Sequence, residues 1–300
     1  VFILKKQSLL ELPNKKSYEH AEKKRGNTMK SPNYNVMLKA AQKAAQGIQR
    51  DFGEVGHLQA SRKVALDFVT QTDLRAEGRI REELEKARPN FGFLMEEGGE
   101  VEGKDKDYRW VIDPLDGTTN FIHAVPYICS NIVLEKKRKR DGKWEAEAAL
   151  TYDPLRDEAF YAEKHKGAFM NEKRMSVSSR LKLNESLLVT HSPKHDRATF
   201  RTSLEMLTAV TEQSRGARTM GATALDLAYI AAGRFDAGWY TAFKHWDIAA
   251  GALLVREAGG EVCQMDGDED VAEPTSLVLG TPKIHHALSR LLKPIWKAKR

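Results

Sequence analysis

The chain has 300 residues, 41% of them apolar and 30% charged, a globular composition with enough length for one large core or two ordinary ones. No stretch approaches the roughly 18 consecutive apolar residues that a membrane-spanning helix needs. The net charge of +6 is concentrated in residues 1 to 30, where eight Lys and Arg face three Glu; the other 270 residues are close to neutral, which argues against an extended nucleic-acid-binding face. Cys129 and Cys263, both in apolar runs, make neither a disulfide framework nor a zinc cage, so a reducing cytoplasm is the expected compartment.

Residues 1–32 read as a basic, flexible leader, too weakly apolar for a signal peptide and too acidic for a transit peptide, with Met29 a candidate start of the folded protein. From Asn35 the spacing of Met37, Ala41, Ala44, Ile48 and Phe52 predicts a helix to about Phe52. Lys63 falls in the loop that follows. A second helix is predicted from an N-cap at Thr72, with Leu74, Ile80 and Leu84 on one face, ending at Pro89 and Asn90. FGFLMEE and YRWVID then read as short buried strands that end in acid, and YICSNIVLEK as a longer one joined by an Asp-Gly hairpin to WEAEAALTYD. Further on, EAFYAEKHKGAFMN continues the antiparallel pattern and LLVTH is another strand. Phe200, Leu204, Leu207 and Val210 mark a helix, followed by helix GATALDLAYIAAG, strand DAGWYTAF, helix WDIAAGALLVREAGG, strands EVCQM and SLVLG, and a closing helix. Elements alternate in blocks, so layers of helix and sheet are expected, with two halves, 33–150 and 151–300.

The stretch WVIDPLDGTTNF, residues 110–121, carries the chemistry. Pro114 removes a backbone donor and should stop the strand, turning Asp113 and Asp116 toward one point. Two carboxylates that close repel unless a cation lies between them, and an all-oxygen set without thiol or imidazole favours Mg2+ or Mn2+, with the Leu115 carbonyl as a further donor. Gly117 lets backbone approach a ligand, and the free amides at Thr118 and Thr119 favour phosphate. The competing reading is a capped turn built from common turn residues. Against it stand Glu96 and Glu97, which also end a strand and would join the same acids if the strands are neighbours.

WVIDPLDGTTNF together with WDIAAGALLVREAGG resembles the two signatures of the inositol monophosphatase family, and TQTD, MEEGG, KGAFMNEKRMSVS and GATALDLAYIAAGRFD extend the resemblance from about residue 35 to the C-terminus. It implies an α/β fold, the alternating αβαβα five-layer sandwich of the inositol monophosphatase and fructose-1,6-bisphosphatase type, commonly a cytoplasmic homodimer with Mg2+-dependent, lithium-sensitive phosphatase activity. Two or three Mg2+ ions, replaceable by Mn2+, would be held by Glu96, Asp113, the Leu115 carbonyl, Asp116 and Asp247. Gly117 and Thr118 would present amides to the phosphate. Glu96 and Thr118, the latter hydrogen-bonded to Asp73, would orient the attacking water. Gly221 and Ala222 would line the sugar-ring side.

Several of these residues have simpler readings. Asp247 sits where an N-cap belongs, Asp73 can complement a helix dipole, Thr118 can be a cap, and Glu97 flanks the site. His245 reads as structural and Asp226 as helix surface. The family ordinarily carries a glutamate seven residues before the metal aspartate, where it accepts hydrogen bonds from inositol hydroxyls; here Tyr240 stands there, with Thr241 as the gapped alternative, and both are poorer polyol acceptors. That departure weakens the inositol preference; the resemblance still puts inositol 1-phosphate first, with fructose 1,6-bisphosphate or histidinol phosphate as alternatives. A non-enzymatic alternative is an RNA or transcription-complex partner, bound through the basic leader or the run Lys136 to Arg140, which otherwise reads as a solvated hairpin tip.

Overall fold

The computed structural model describes residues 31–58, 62–191 and 197–298. Residues 1–30, with most of the expected leader and Met29, and the side chain of Lys63 lie outside the described residues, while Ser31 is buried and Pro32 belongs to the first helix. Helix α1 (Pro32–Leu58) opens on proline, whose missing amide is no loss in a first turn, and buries Met37, Ala41, Ala44 and Ile48 as their spacing predicts. Helix α2 (Arg62–Ala87) begins ten residues before the expected cap. Thr72 is thus inside the helix, and its hydroxyl donates to Asp51 of α1 at 2.9 Å instead of capping. The buried stripe runs through Val69, Ala76, Ile80 and Leu84, while Leu74 is exposed. Six residues of helix turn by about 600°, which puts Leu74 and Ile80 on different sides.

The first sheet has the order β2-β1-β3-β4-β5-β6-β7-β8. It is built from β1 (Gly92–Met95), β2 (Gly99–Val101), β3 (Tyr108–Asp116), β4 (Cys129–Lys137), β5 (Trp144–Asp153), β6 (Glu158–Glu163), β7 (Gly167–Met170) and β8 (Lys173–Met175). Strands β1 and β3 are parallel and the remaining neighbours antiparallel. Pro114 does not end β3 as expected. The strand carries on to Asp116 through a register shift between Asp113 and Asp116, and Ser130 Oγ donates to the Pro114 carbonyl at 2.6 Å. The sheet runs on past residue 150 to Met175.

The second sheet, order β10-β9-β11-β13-β12, consists of β9 (Leu188–Thr190), β10 (Ala217–Arg218), β11 (Ala237–Thr241), β12 (Glu261–Cys263) and β13 (Ser276–Gly280). The remaining helices are α3 (Thr118–Ile122), α4 (Arg197–Gln213), α5 (Thr223–Ala231), α6 (His245–Glu257) and α7 (Pro282–Lys297). Helices α1 and α2 cover one face of the first sheet. Helices α5 and α6 fill the space between the two sheets, and α4 and α7 cover the far face of the second. This is the αβαβα five-layer sandwich. In α6 every residue from Ile248 to Val255 is buried, the all-round apolarity of a helix with sheet on both sides. No helix among the described residues is long and apolar enough to cross a membrane.

Candidate active site

Parallel pairing of β1 with β3 sets the site. Met95 is in register with Ile112, and the Glu96 amide donates to the Ile112 carbonyl at 3.2 Å, so Glu96, just after β1, and Asp113, within β3, come side by side. The continuation of β3 delivers Asp116 and the Leu115 carbonyl. Asp247, from the first turn of α6, faces Glu96, Asp113 and Asp116, and Asp73 with Glu77, one turn apart on α2, lies on the side of Glu96.

Burial and mutual repulsion act together on these groups. Burial first, then Glu96, Glu97 and Glu77, push the Asp73 carboxyl up to about 8. Burial and Asp247 raise Asp116 to about 8 even though the Ala224 amide, at the start of α5, donates to its Oδ2 at 2.6 Å. Asp113, on the floor, is pushed well above the carboxylate range by burial and by Asp116, Glu96 and Asp247. Burial also lifts Asp247, while the Lys244 amide, donating to its Oδ2 at 2.8 Å, opposes the rise. Desolvation of the Glu96 carboxyl raises it to about 7, opposed by its hydrogen bond with Asp113. Asp247 occupies the third position of α6 and not its N-cap, which is Lys244.

The arrangement fits hard cations on its own evidence. The buried Oδ1 atoms of Asp113 and Asp73 have no donor, and Asp113 Oδ2 accepts a long bond from Asn131 Nδ2 at 3.4 Å. An anionic oxygen left so in a protein interior is strongly disfavoured unless a cation or proton meets it. All the converging donors are oxygens, the preference of Mg2+ and Mn2+. Glu96 and Asp113 meet in a side-chain hydrogen bond, while the four acids as a set are more widely spaced. Among the described residues, the group of three that brings one ligand atom each within 4.8 Å of the others lies elsewhere, at Glu261, His285 and His286.

The other expected residues divide. Gly117 takes φ 95°, a left-handed conformation open to glycine, and turns the chain from β3 into α3. Thr118 is exposed at the start of α3, and its hydroxyl donates to the Leu115 carbonyl at 3.3 Å, where the expected partner was Asp73. Gly221 and Ala222 are drawn to the same place, because Asn120 Nδ2 donates to the Met220 and Tyr127 carbonyls, each at 2.8 Å. Tyr240 does not join them. It is wholly buried, and its hydroxyl donates to Asp226 at 3.3 Å, with Tyr127 donating to the same carboxyl at 2.8 Å. Asp226, expected on the helix surface, is buried and pushed well above the usual range by that burial. Thr241 is buried too.

Two residues that the sequence reading passed over belong to the surroundings of the site. Glu77 accepts from the Glu97 amide at 2.9 Å and so shapes the turn that carries Glu96; its position four residues after Asp73 was the available signal. Asn131, anchored by Thr151 at 2.7 Å, is the neighbour of Asp113 across the β3–β4 ladder. His245 is structural, as expected. It pairs with buried Glu135 at 2.6 Å, to which Arg109 also donates at 2.8 Å. Burial works to raise Glu135, but these two partners outweigh it and hold the carboxyl below its usual range.

With this geometry in place, comparison with known proteins is decisive. Residues 29–299 match the model of the inositol monophosphatase family. The chain belongs to that family. An inositol-1-monophosphatase of Mesorhizobium japonicum is 46% identical over 86% of this chain and 95% of its own length. A protein of Pseudomonas aeruginosa named Nus factor SuhB is 41% identical over 88% of this chain and 96% of its own. Among solved structures, the extragenic suppressor protein suhB of Bartonella henselae superposes with a TM-score of 0.78 at 42% identity, covering 88% of this chain and 99% of that one. Family members thus carry both kinds of name.

Proposed function

We propose that this family member is a divalent-cation-dependent phosphomonoesterase acting on a small polyol or sugar phosphate, with inositol 1-phosphate the first candidate and fructose 1,6-bisphosphate and histidinol phosphate the alternatives. The observation that carries the reading is the gathering of Glu96, Asp113, Asp116 and Asp247 around buried carboxylate oxygens that no protein donor satisfies. Glu96, Asp113, the Leu115 carbonyl, Asp116 and Asp247 would hold two or three Mg2+ ions, which when bound supply charge neutralisation for the phosphate and the departing alkoxide. The chain itself does the positioning. Amides of Gly117 and Thr118 orient the phosphate, and the Gly221–Ala222 segment lies beside the leaving alcohol. Glu96 and Thr118, backed by Asp73, orient a water for in-line displacement. The protein is read as a cytoplasmic homodimer, in keeping with two buried free cysteines.

A phosphate-release panel with Mg2+ tests this, using those three substrates and adenosine 3',5'-bisphosphate. Release from at least one of the three is expected, abolished by EDTA and reduced at least about a hundredfold by Asp247→Asn. Full turnover in Asp247→Asn sinks the ligand assignment.

The Nus factor name of several relatives favours a second reading, an RNA or transcription-complex partner. The basic run 136–140 offers little to it. Arg138 is paired with Asp141 and Asp270, Arg140 with Asp141, and Lys136 and Lys137 lie over the rings of Tyr108 and Trp144. A salt-sensitive RNA pull-down that persists in Asp113→Asn would support binding; no retention at low salt disposes of it.

A further inference from the structure

Elements that contribute nothing to the acidic site hold a second cluster of ligand groups. In the second sheet Glu261 pairs with Gly280, and the chain enters α7 two residues after that glycine, so the first turns of α7 pass back over the start of β12. His285 and His286 lie there. His285 Nδ1 and His286 Nε2 approach the same atom, Glu261 Oε2, at 2.9 and 3.0 Å, and all three ligand atoms lie within 4.8 Å of one another.

Two features separate this cluster from an ordinary surface ion pair. His285 is buried, and its Nδ1 faces into the cluster, 2.9 Å from the Glu261 carboxylate. A buried ring nitrogen whose neighbour is itself a ligand atom is aimed into the cluster. The opposite ring nitrogen, Nε2, is 3.2 Å from the thiol of buried Cys263, which is the kind of outer contact that fixes ring orientation and tautomer in metal-binding histidines.

We propose that Glu261, His285 and His286 form a transition-metal site of the Zn2+ class that ties the start of α7 to β12. Two imidazoles and one carboxylate are the donor set of zinc and its neighbours and not of Mg2+, which separates this site chemically from the all-oxygen cluster. The present spacings are close to the roughly 3.3 Å between donors around a tetrahedral zinc with bonds near 2.0 to 2.1 Å, so small side-chain movements admit the ion. Three protein ligands leave a position for water. His286 is exposed, which provides the entry path.

The test uses the untagged full chain in excess Mg2+, which occupies the acidic cluster, titrated with Zn2+ by calorimetry and with Co2+ by visible absorption. Wild type is expected to bind one Zn2+ per chain at this site and to develop the d–d bands of nitrogen-ligated, low-coordinate Co2+. His286→Ala and Glu261→Gln alter side chains that reach solvent, so both variants should fold, as circular dichroism will check. Each should lose roughly tenfold or more in Zn2+ affinity together with the Co2+ bands. Absence of Zn2+ binding in wild type, or full affinity retained in either variant, overturns the proposal. The test is independent of phosphatase activity.

Discussion

Tyr240 shows how one position can be read correctly as unusual and still be placed in the wrong environment. Its number in the chain puts it where the family ordinarily has a polyol acceptor, but strand alternation in β11 turns its ring inward, against Asp226 and Tyr127. Tyr240→Phe is therefore expected to leave KM for the preferred substrate unchanged and to lower stability by about 1 kcal/mol, the worth of a neutral hydrogen bond, since Tyr127 still serves Asp226. Steady-state kinetics and urea unfolding check both halves, and a several-fold rise in KM would return Tyr240 to the substrate side. The acids proposed to bind metal were legible because of their spacing around a proline and a glycine. Glu77 was marked only by its position one helical turn after Asp73, a weak signal on a charged helix until the Glu97 amide is found donating to it.

At the level of elements, the site exists because strand ends and helix starts meet. β1 ends beside the point where its parallel neighbour β3 carries Asp113, α6 and α5 begin nearby, and α2 supplies a face with buried Asp73 and Glu77. Concentrating carboxyls in this way makes the cation-free protein sensitive to pH. Asp73, Asp116 and Glu96 have folded-state values raised to about 8, about 8 and about 7, above their unfolded values, so the folded state binds more protons between roughly pH 4 and pH 8. Stability that is fully present below pH 4 on this account is lost as pH rises through that window. In EDTA, the melting temperature should fall between pH 6 and pH 8.5, and added Mg2+ should raise it more at pH 8.5 than at pH 6. Scanning calorimetry checks this, and an equal Mg2+ shift at both values would remove the acids as the cause.

Across the whole molecule the central layer matters most, since α5 and α6 support both sheets and also deliver Ala224 and Asp247 to the site. They pack closely where Gly251 of α6 meets Leu227 of α5, and a methyl at Gly251 would drive into that leucine. Gly251→Ala should destabilise by about 1 to 3 kcal/mol through overpacking. For a chain of this size that lowers the melting temperature by roughly 2 to 4 °C per kcal/mol. Urea unfolding measures it, and an unchanged midpoint would mean that the layer gives way at no cost.

The sequence by itself determined the class of chemistry and the layered α/β plan. Acids grouped around proline and glycine repel one another wherever the chain places them together, and hydrophobic periodicity of two or 3.6 residues is a local property that neighbours do not erase. The tertiary structure alone decided which long-range groups face which. That β1 pairs parallel with β3, that β3 continues beyond Pro114, that α2 begins ten residues before Thr72, that Tyr240 and Asp226 turn inward, and that Glu261 meets two histidines of α7 all depend on register and packing between distant segments. Those contacts are set by the burial of whole faces, and no single stretch of residues contains that information.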